Sequence, residues 1–338
     1  MHSRTSARTR AGRLGLLGFM SVALLIASTP LAAQNMGGHK GNMQMQQQMQ
    51  KKMMMEYMGL APAVGYIKAH MNNRNPFDLL GGPVHVTVSQ QQGGVFVALP
   101  DQRALDVYAF GTPEHPRAFG GTPGINGVPP MARASDNGHY TKMKMPSPFG
   151  DKHIVLPGGT LHMDLMDVTA TDAATTKDKI RFDATWKDKA GNTYEVKCCG
   201  KVLAHGLEFP TFGGVMTNGI LHGFTRLGTA LMPSEYTYAA FWGMGQVLKN
   251  GQMMDCPRLI HGMLTEYVRT EGYKLAKDDE VTPTRRHFHL MVPPFMPNMK
   301  TGHFDSKPVK TGFSLPNGME LPFWHVMFES LDINGERG

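Results

Sequence analysis

At 338 residues, 41% of them hydrophobic and 18% charged, the chain is long and apolar enough for one large core or two ordinary ones. Its formal charge of +7 shrinks once it is placed: Arg4, Arg8, Arg10 and Arg13 carry four of the seven charges, leaving about +3 on the remainder. So weak a field, with no basic run interleaved with aromatics, excludes a surface for nucleic acid or an anionic membrane.

Those four arginines precede an apolar stretch, Leu14 to Ala27, and then the small residues of Pro30-Leu31-Ala32-Ala33. This order of parts predicts a secretory signal peptide over residues 1–33, cut after Ala33, and hence a periplasmic or extracellular protein. The arginines are not adjacent and no Cys stands at the cut, so neither a twin-arginine signal nor a lipoprotein is expected. No later run reaches the roughly 20 apolar residues a membrane helix needs.

Residues 34–59 follow as a Met- and Gln-rich tail. Met36, Met43, Met45, Met49, Met53, Met54, Met55 and Met58 sit among Gln, Gly, Asn and Lys, with almost no branched aliphatics to build a core. A flexible segment is expected, with loose helical tendency from the i, i+4 spacing of Met45, Met49 and Met53.

From residue 60 onward the chain reads as all-β. The 39 glycines and 23 prolines interrupt it too often for long helices. Short alternating runs recur at Val84–Val88, Val95–Leu99, Leu105–Phe110 and Ile180–Trp186. The last of these is followed by a turn and a hairpin partner, Thr193–Cys198. Two packed antiparallel β-sandwiches are expected, one over 60–204 and one over 205–338, with a single large barrel-like sheet as the alternative. Residues 113–148, rich in Gly and Pro, read as a long loop. Tyr236–Val247 also admits a helical reading. Of Cys198, Cys199 and Cys256, the adjacent pair is strained as a bridge, so a disulfide from Cys256 to one of them is expected.

Histidine and methionine carry the functional signal. His287-Phe288-His289-Leu290-Met291, His325-Val326-Met327, His261-Gly262-Met263 and His162-Met163-Asp164 each place these side chains two residues apart. On a strand, residues i and i+2 share a face, so two imidazoles can turn onto one ion with apolar residues on the opposite face. The expected metal ligands are therefore His287, His289, Met291, His325, Met327, His261, Met263 and His162. Imidazole serves several transition metals, while thioether sulfur selects soft ions, Cu(I) in particular, so copper is the expected ion. The tail resembles the Met-rich stretches of bacterial periplasmic copper-handling proteins, and His-x-His with a nearby Met resembles copper monooxygenase sites. Three functions follow: an exported copper-binding protein, with a metal ion and an envelope protein as partners; a copper-dependent oxidase or monooxygenase; or a metal-free envelope module. Glu266 is an isolated acid–base candidate.

Overall fold

The computed structural model describes residues 83–337 apart from 106–109, 113, 116–132, 137–138, 169–176, 203–214, 223–229, 231–232, 299 and 302. The expected signal peptide and Met-rich tail lie outside the described residues. The strands in chain order are β1 (Val84–Gln90), β2 (Val95–Ala98), β3 (Arg133–Asp136), β4 (His139–Met143), β5 (His153–Leu156), β6 (Gly158–Asp167), β7 (Lys179–Lys187) and β8 (Thr193–Val202). They continue as β9 (Val215–His222), β10 (Glu235–Lys249), β11 (Gln252–Tyr267), β12 (Thr282–Val292), β13 (Phe295–Asn298), β14 (His303–Ser306), β15 (Trp324–Phe328) and β16 (Asp332–Arg337). Among the described residues, no helix is long and apolar enough to cross a membrane.

Twelve strands form one sheet, in the order β16-β1-β6-β7-β8-β10-β11-β12-β15-β2-β5, with β9 as a branch on β10. Every pairing within it is antiparallel. β3–β4 and β13–β14 are separate two-stranded ribbons. The all-β expectation is met. The boundary expected at 204/205 falls among residues 203–214, outside the described residues; β8 before it pairs with β10 after it. Strands from both sides also line one apolar core, an arrangement nearer the single barrel-like sheet than the two sandwiches.

The sheet rolls upon itself because its inner face is large and apolar. Phe182 on β7 stacks on Phe288 of β12 at 5.6 Å, and Trp186 meets Trp324 of β15 edge-on at 4.8 Å. Each such fully buried ring is worth about 1.5–3 kcal/mol of transfer free energy. Rolling brings β6 beside the start of β2, where the Gly159 N–H donates to the Gly93 carbonyl at 2.8 Å. A Cβ on Gly159 would lie 2.2 Å from Val95 Cγ1, so only glycine allows this approach.

One quadrant of the sheet departs from simple alternation. β1 and β7 bury every second residue and turn the others outward. The first nine residues of β10, the last ten of β11 and all of β15 are buried on both faces. A covering layer lies there on the outer face, built from residues 147–153, residues 269–281 and the β13–β14 ribbon. Phe149 lies against His325 at 5.0 Å, Tyr273 stacks on Phe96 at 5.0 Å, and Phe295 joins the cluster around Trp242 and Met263.

Double burial also explains why Tyr236–Val247 is strand, not helix: it lies within β10, where an unbroken apolar run carries no period of two to betray it. Part of the expected loop 113–148 is the β3–β4 ribbon. Of the expected strand Leu105–Phe110, residues 106–109 lie outside the described residues. Cys198 is disulfide-bonded but Cys256 is free and exposed, which corrects the expected bridge between them. β8 and β11 flank β10, and two strand spacings of about 4.8 Å exceed the Cα separation a disulfide spans.

Candidate metal centre

The pairing register sorts the candidate residues into rows on the outer face of the doubly buried quadrant. Met216, Ala240, Met263, His289, Met327 and Phe96 form one row across β9, β10, β11, β12, β15 and β2. Trp242, His261, Met291 and His325 form the next, and Thr265 stands opposite His287 on the other side. The intervening residues, Gly262, Leu264, Phe288, Leu290 and Val326, face inward. Gly262 is required there: a Cβ would come within 2.3 Å of the Phe241 ring.

Seven of the eight expected ligands therefore share one face. The eighth, His162, is exposed on β6, opposite Ser89 and Asp183, five strands away from β12. Its His-x-Asp pattern has the same local periodicity, but only sheet order determines which strands become neighbours.

Three imidazoles connect in sequence. His325 Nδ1 lies 2.9 Å from the Pro148 carbonyl, which can only accept, so this nitrogen carries the proton and Nε2 the lone pair. His289 Nδ1 lies 3.1 Å from that Nε2 and must donate to it, which leaves the His289 Nε2 lone pair pointing onward. It meets Nε2 of His287 at 2.7 Å, with the rings nearly perpendicular. Two ring nitrogens this close need a proton between them, or a cation drawing on both lone pairs.

The carboxylate of Glu235, at the start of β10, completes the group. One ligand atom from each of Glu235, His287 and His289 falls within 4.8 Å of the others. Glu235 and His287 are buried and His289 is half-buried. Burial, reinforced by the neighbouring Glu266, pushes the Glu235 carboxyl up to about 8, against the pull of Arg269 and a hydrogen bond from Thr265. His287 is held well below the usual imidazole value by burial, then by Arg269, His325 and Arg285. Arg269 itself is lowered to about 10 by burial, and its Nη1 donates to the carbonyls of Gly150 and Tyr273 at 2.7 and 3.0 Å. Burial thus favours the neutral forms of both groups: a His287 imidazole that keeps its lone pair for a ligand, and a Glu235 carboxyl whose proton a bound cation would displace.

His325 occupies a different position from the one the spacing implied. It accepts the His289 Nδ1–H from behind and is not part of the three-ligand group, so its part is to fix the orientation and tautomer of that imidazole. Glu235 was missed because it precedes the run Tyr236–Trp242 with no spacing motif; an acidic side chain at the edge of a long apolar run was the available signal. Glu266, the isolated candidate, is buried beside it and accepts from the Tyr236 N–H at 3.2 Å.

No family model, curated protein or solved structure matches this chain.

Proposed function

We propose that this is an exported protein that binds a first-row transition-metal ion at Glu235, His287 and His289, and that the ion is copper. The observation that carries the reading is the convergence of these three side chains with the His289 tautomer fixed through His325 and the Pro148 carbonyl. Burying an imidazole and a carboxyl together, with a second imidazole half-buried against them, is costly unless something is gained from them. A metal ion satisfies all three at once. Copper is favoured over zinc because Met263 and Met327 flank His289 in register on the same face, supplying thioether sulfur beside imidazole. The export signal and Met-rich tail read from the sequence suit capture of copper outside the cytoplasm and its transfer to or from an envelope protein.

The test is a competition titration of the metal-stripped full chain with Cu(II), with Cu(I) under reducing anaerobic conditions, and with Zn(II). One equivalent is expected to disappear in His287→Ala and in Glu235→Gln, with copper held more tightly than zinc. Unchanged stoichiometry in both variants would overturn the metal reading, and equal or tighter zinc binding would overturn the choice of copper.

A second reading rests on the ligand count. Three protein ligands leave a coordination position open, the arrangement of catalytic rather than closed structural sites. A copper-dependent oxidase or oxygenase is therefore the alternative. Oxygen consumption by the copper-loaded protein with a reductant, lost in His287→Ala, would favour it.

A further inference from the structure

A second group on the same outer face differs from the first in chemistry. His261 lies between Trp242 and Met291 across the strands, and Met263 is two residues further along β11. His261, Met263, Met291 and Trp242 are all buried. The imidazole stacks on the Trp242 indole with ring centroids 3.9 Å apart and planes inclined by 11°. Its Nδ1 lies 2.7 Å from the Phe241 carbonyl and so carries the proton, which assigns the lone pair to Nε2. Around it the apolar packing is unusually rich in sulfur: Met216 and Met263 are buried in the cluster with Trp242, and Met244 and Met296 are half-buried against it.

We propose that His261, Met263 and Met291 form a second metal site, selective for a soft monovalent d10 cation such as Cu(I), with the Trp242 indole as its wall. The ligand set is one imidazole with a fixed tautomer and two thioethers, all neutral. Such a set favours a soft ion of low charge, whereas the carboxylate of the first group favours a divalent one. The indole stacked on the imidazole gives the site an aromatic wall, whose ring quadrupole attracts a nearby cation. The half-buried Met244 and Met296 pack against this cluster, and the Met296 sulfur accepts from the Leu259 N–H at 3.3 Å. Met263 stands beside His289 as well as His261, but His261 and Met291 belong to neither the Glu235–His287–His289 group nor its flanking sulfurs, so this site stands whether or not those three bind metal.

The test is titration of the metal-stripped full chain with Ag(I), a redox-inert d10 cation, followed by tryptophan fluorescence. Quenching is expected to saturate at one equivalent and to disappear in Trp242→Phe, since silver held elsewhere, on the Met-rich tail for instance, leaves Trp242 unperturbed. His261→Gln is expected to weaken the saturating phase at least tenfold. The double change Met263→Leu with Met291→Leu, close in volume and apolar, is expected to do the same while keeping the packing. His287→Ala is expected to leave it intact. Unchanged quenching in both the His261 and the methionine variants would overturn the proposal. So would quenching that survives His261→Gln but is lost in His287→Ala, which would move the ion to the first site.

Discussion

Nε2 of His287 and Nε2 of His289 stand 2.7 Å apart, and the second is aimed at the first by a hydrogen-bonded sequence that begins at the Pro148 carbonyl. Residue 148 lies on the covering layer, not on the sheet, so the ligand geometry depends on both layers. This divides the histidines by role. Replacing His287 removes a ligand, whereas His325→Gln removes the positioning of His289. The expectation for His325→Gln is retained stoichiometry with affinity reduced 10- to 100-fold, the usual range for an outer-shell partner. Competition titration beside His287→Ala would check it; equal loss of the bound equivalent in the two variants would make His325 a ligand.

Glu235 should impose a stability cost that the metal-free protein carries alone. Its carboxyl is raised from its ordinary range to about 8, so the folded state holds the proton more tightly than the unfolded chain does. The contribution is fully present below about pH 4.5 and is lost as pH rises toward 8, where the buried group must either ionise or keep a proton the unfolded chain has released. Glu235→Gln is therefore expected to stabilise the metal-free protein at pH 8 relative to wild type, by on the order of a few kcal/mol, and to make little difference near pH 4. Urea unfolding of both proteins at the two pH values is the measurement. A variant that binds less metal yet melts higher would separate function from stability at one residue.

The roll of the sheet can be tested where it closes. Gly159→Ala places a Cβ 2.2 Å from Val95 Cγ1 and 3.3 Å from the Phe328 ring, both on the inner face. Overpacking of this kind is expected to cost about 1–3 kcal/mol, read as a lowered urea midpoint without a change in slope. Val95→Ala in the same background should recover part of the loss, and the double-mutant cycle should show coupling.

What the sequence revealed and what it concealed both follow from period and distance. The hairpin of β7 and β8 was legible because Ile180, Phe182, Ala184 and Trp186 alternate with exposed residues, and the two strands pair antiparallel, with Trp186 opposite Tyr194. The ligand face was legible for the same reason: Phe288 and Leu290 separate His287, His289 and Met291 by the period of a strand. Sheet order was not legible, because nothing local says that β12 lies between β11 and β15 while β6 lies five strands away. His162 was therefore grouped with residues it does not meet. β10 was ambiguous because burial on both faces erases alternation, and the roles of Glu235 and Pro148 depend on contacts 52 and 177 residues distant along the chain, to His287 and His325.

The edge strand β16 is held by a group that should respond to pH in its own way. His85 on β1 sits between two carboxylates, with Nδ1 at 3.1 Å from Glu336 of β16 and Nε2 at 2.8 Å from Asp164 of β6. A neutral imidazole donates from one nitrogen only, so satisfying both acceptors requires the charged form. The hydrogen bond to Glu336 and then that to Asp164 accordingly raise His85 above its ordinary value of 6.5. The stabilisation is fully present below pH 6.5 and fades as pH rises through the elevated value. Glu336 and Asp164 are substantially exposed, so solvent screening limits the effect to about 0.5–1 kcal/mol. His85→Gln is expected to be less stable than wild type at pH 6 and nearly equal to it at pH 9, a comparison that cancels the contribution of Glu235. Hydrogen exchange should place the difference in the amides of β16, which pair only with β1. Equal offsets between the two proteins at both pH values would mean that His85 acts there by packing alone.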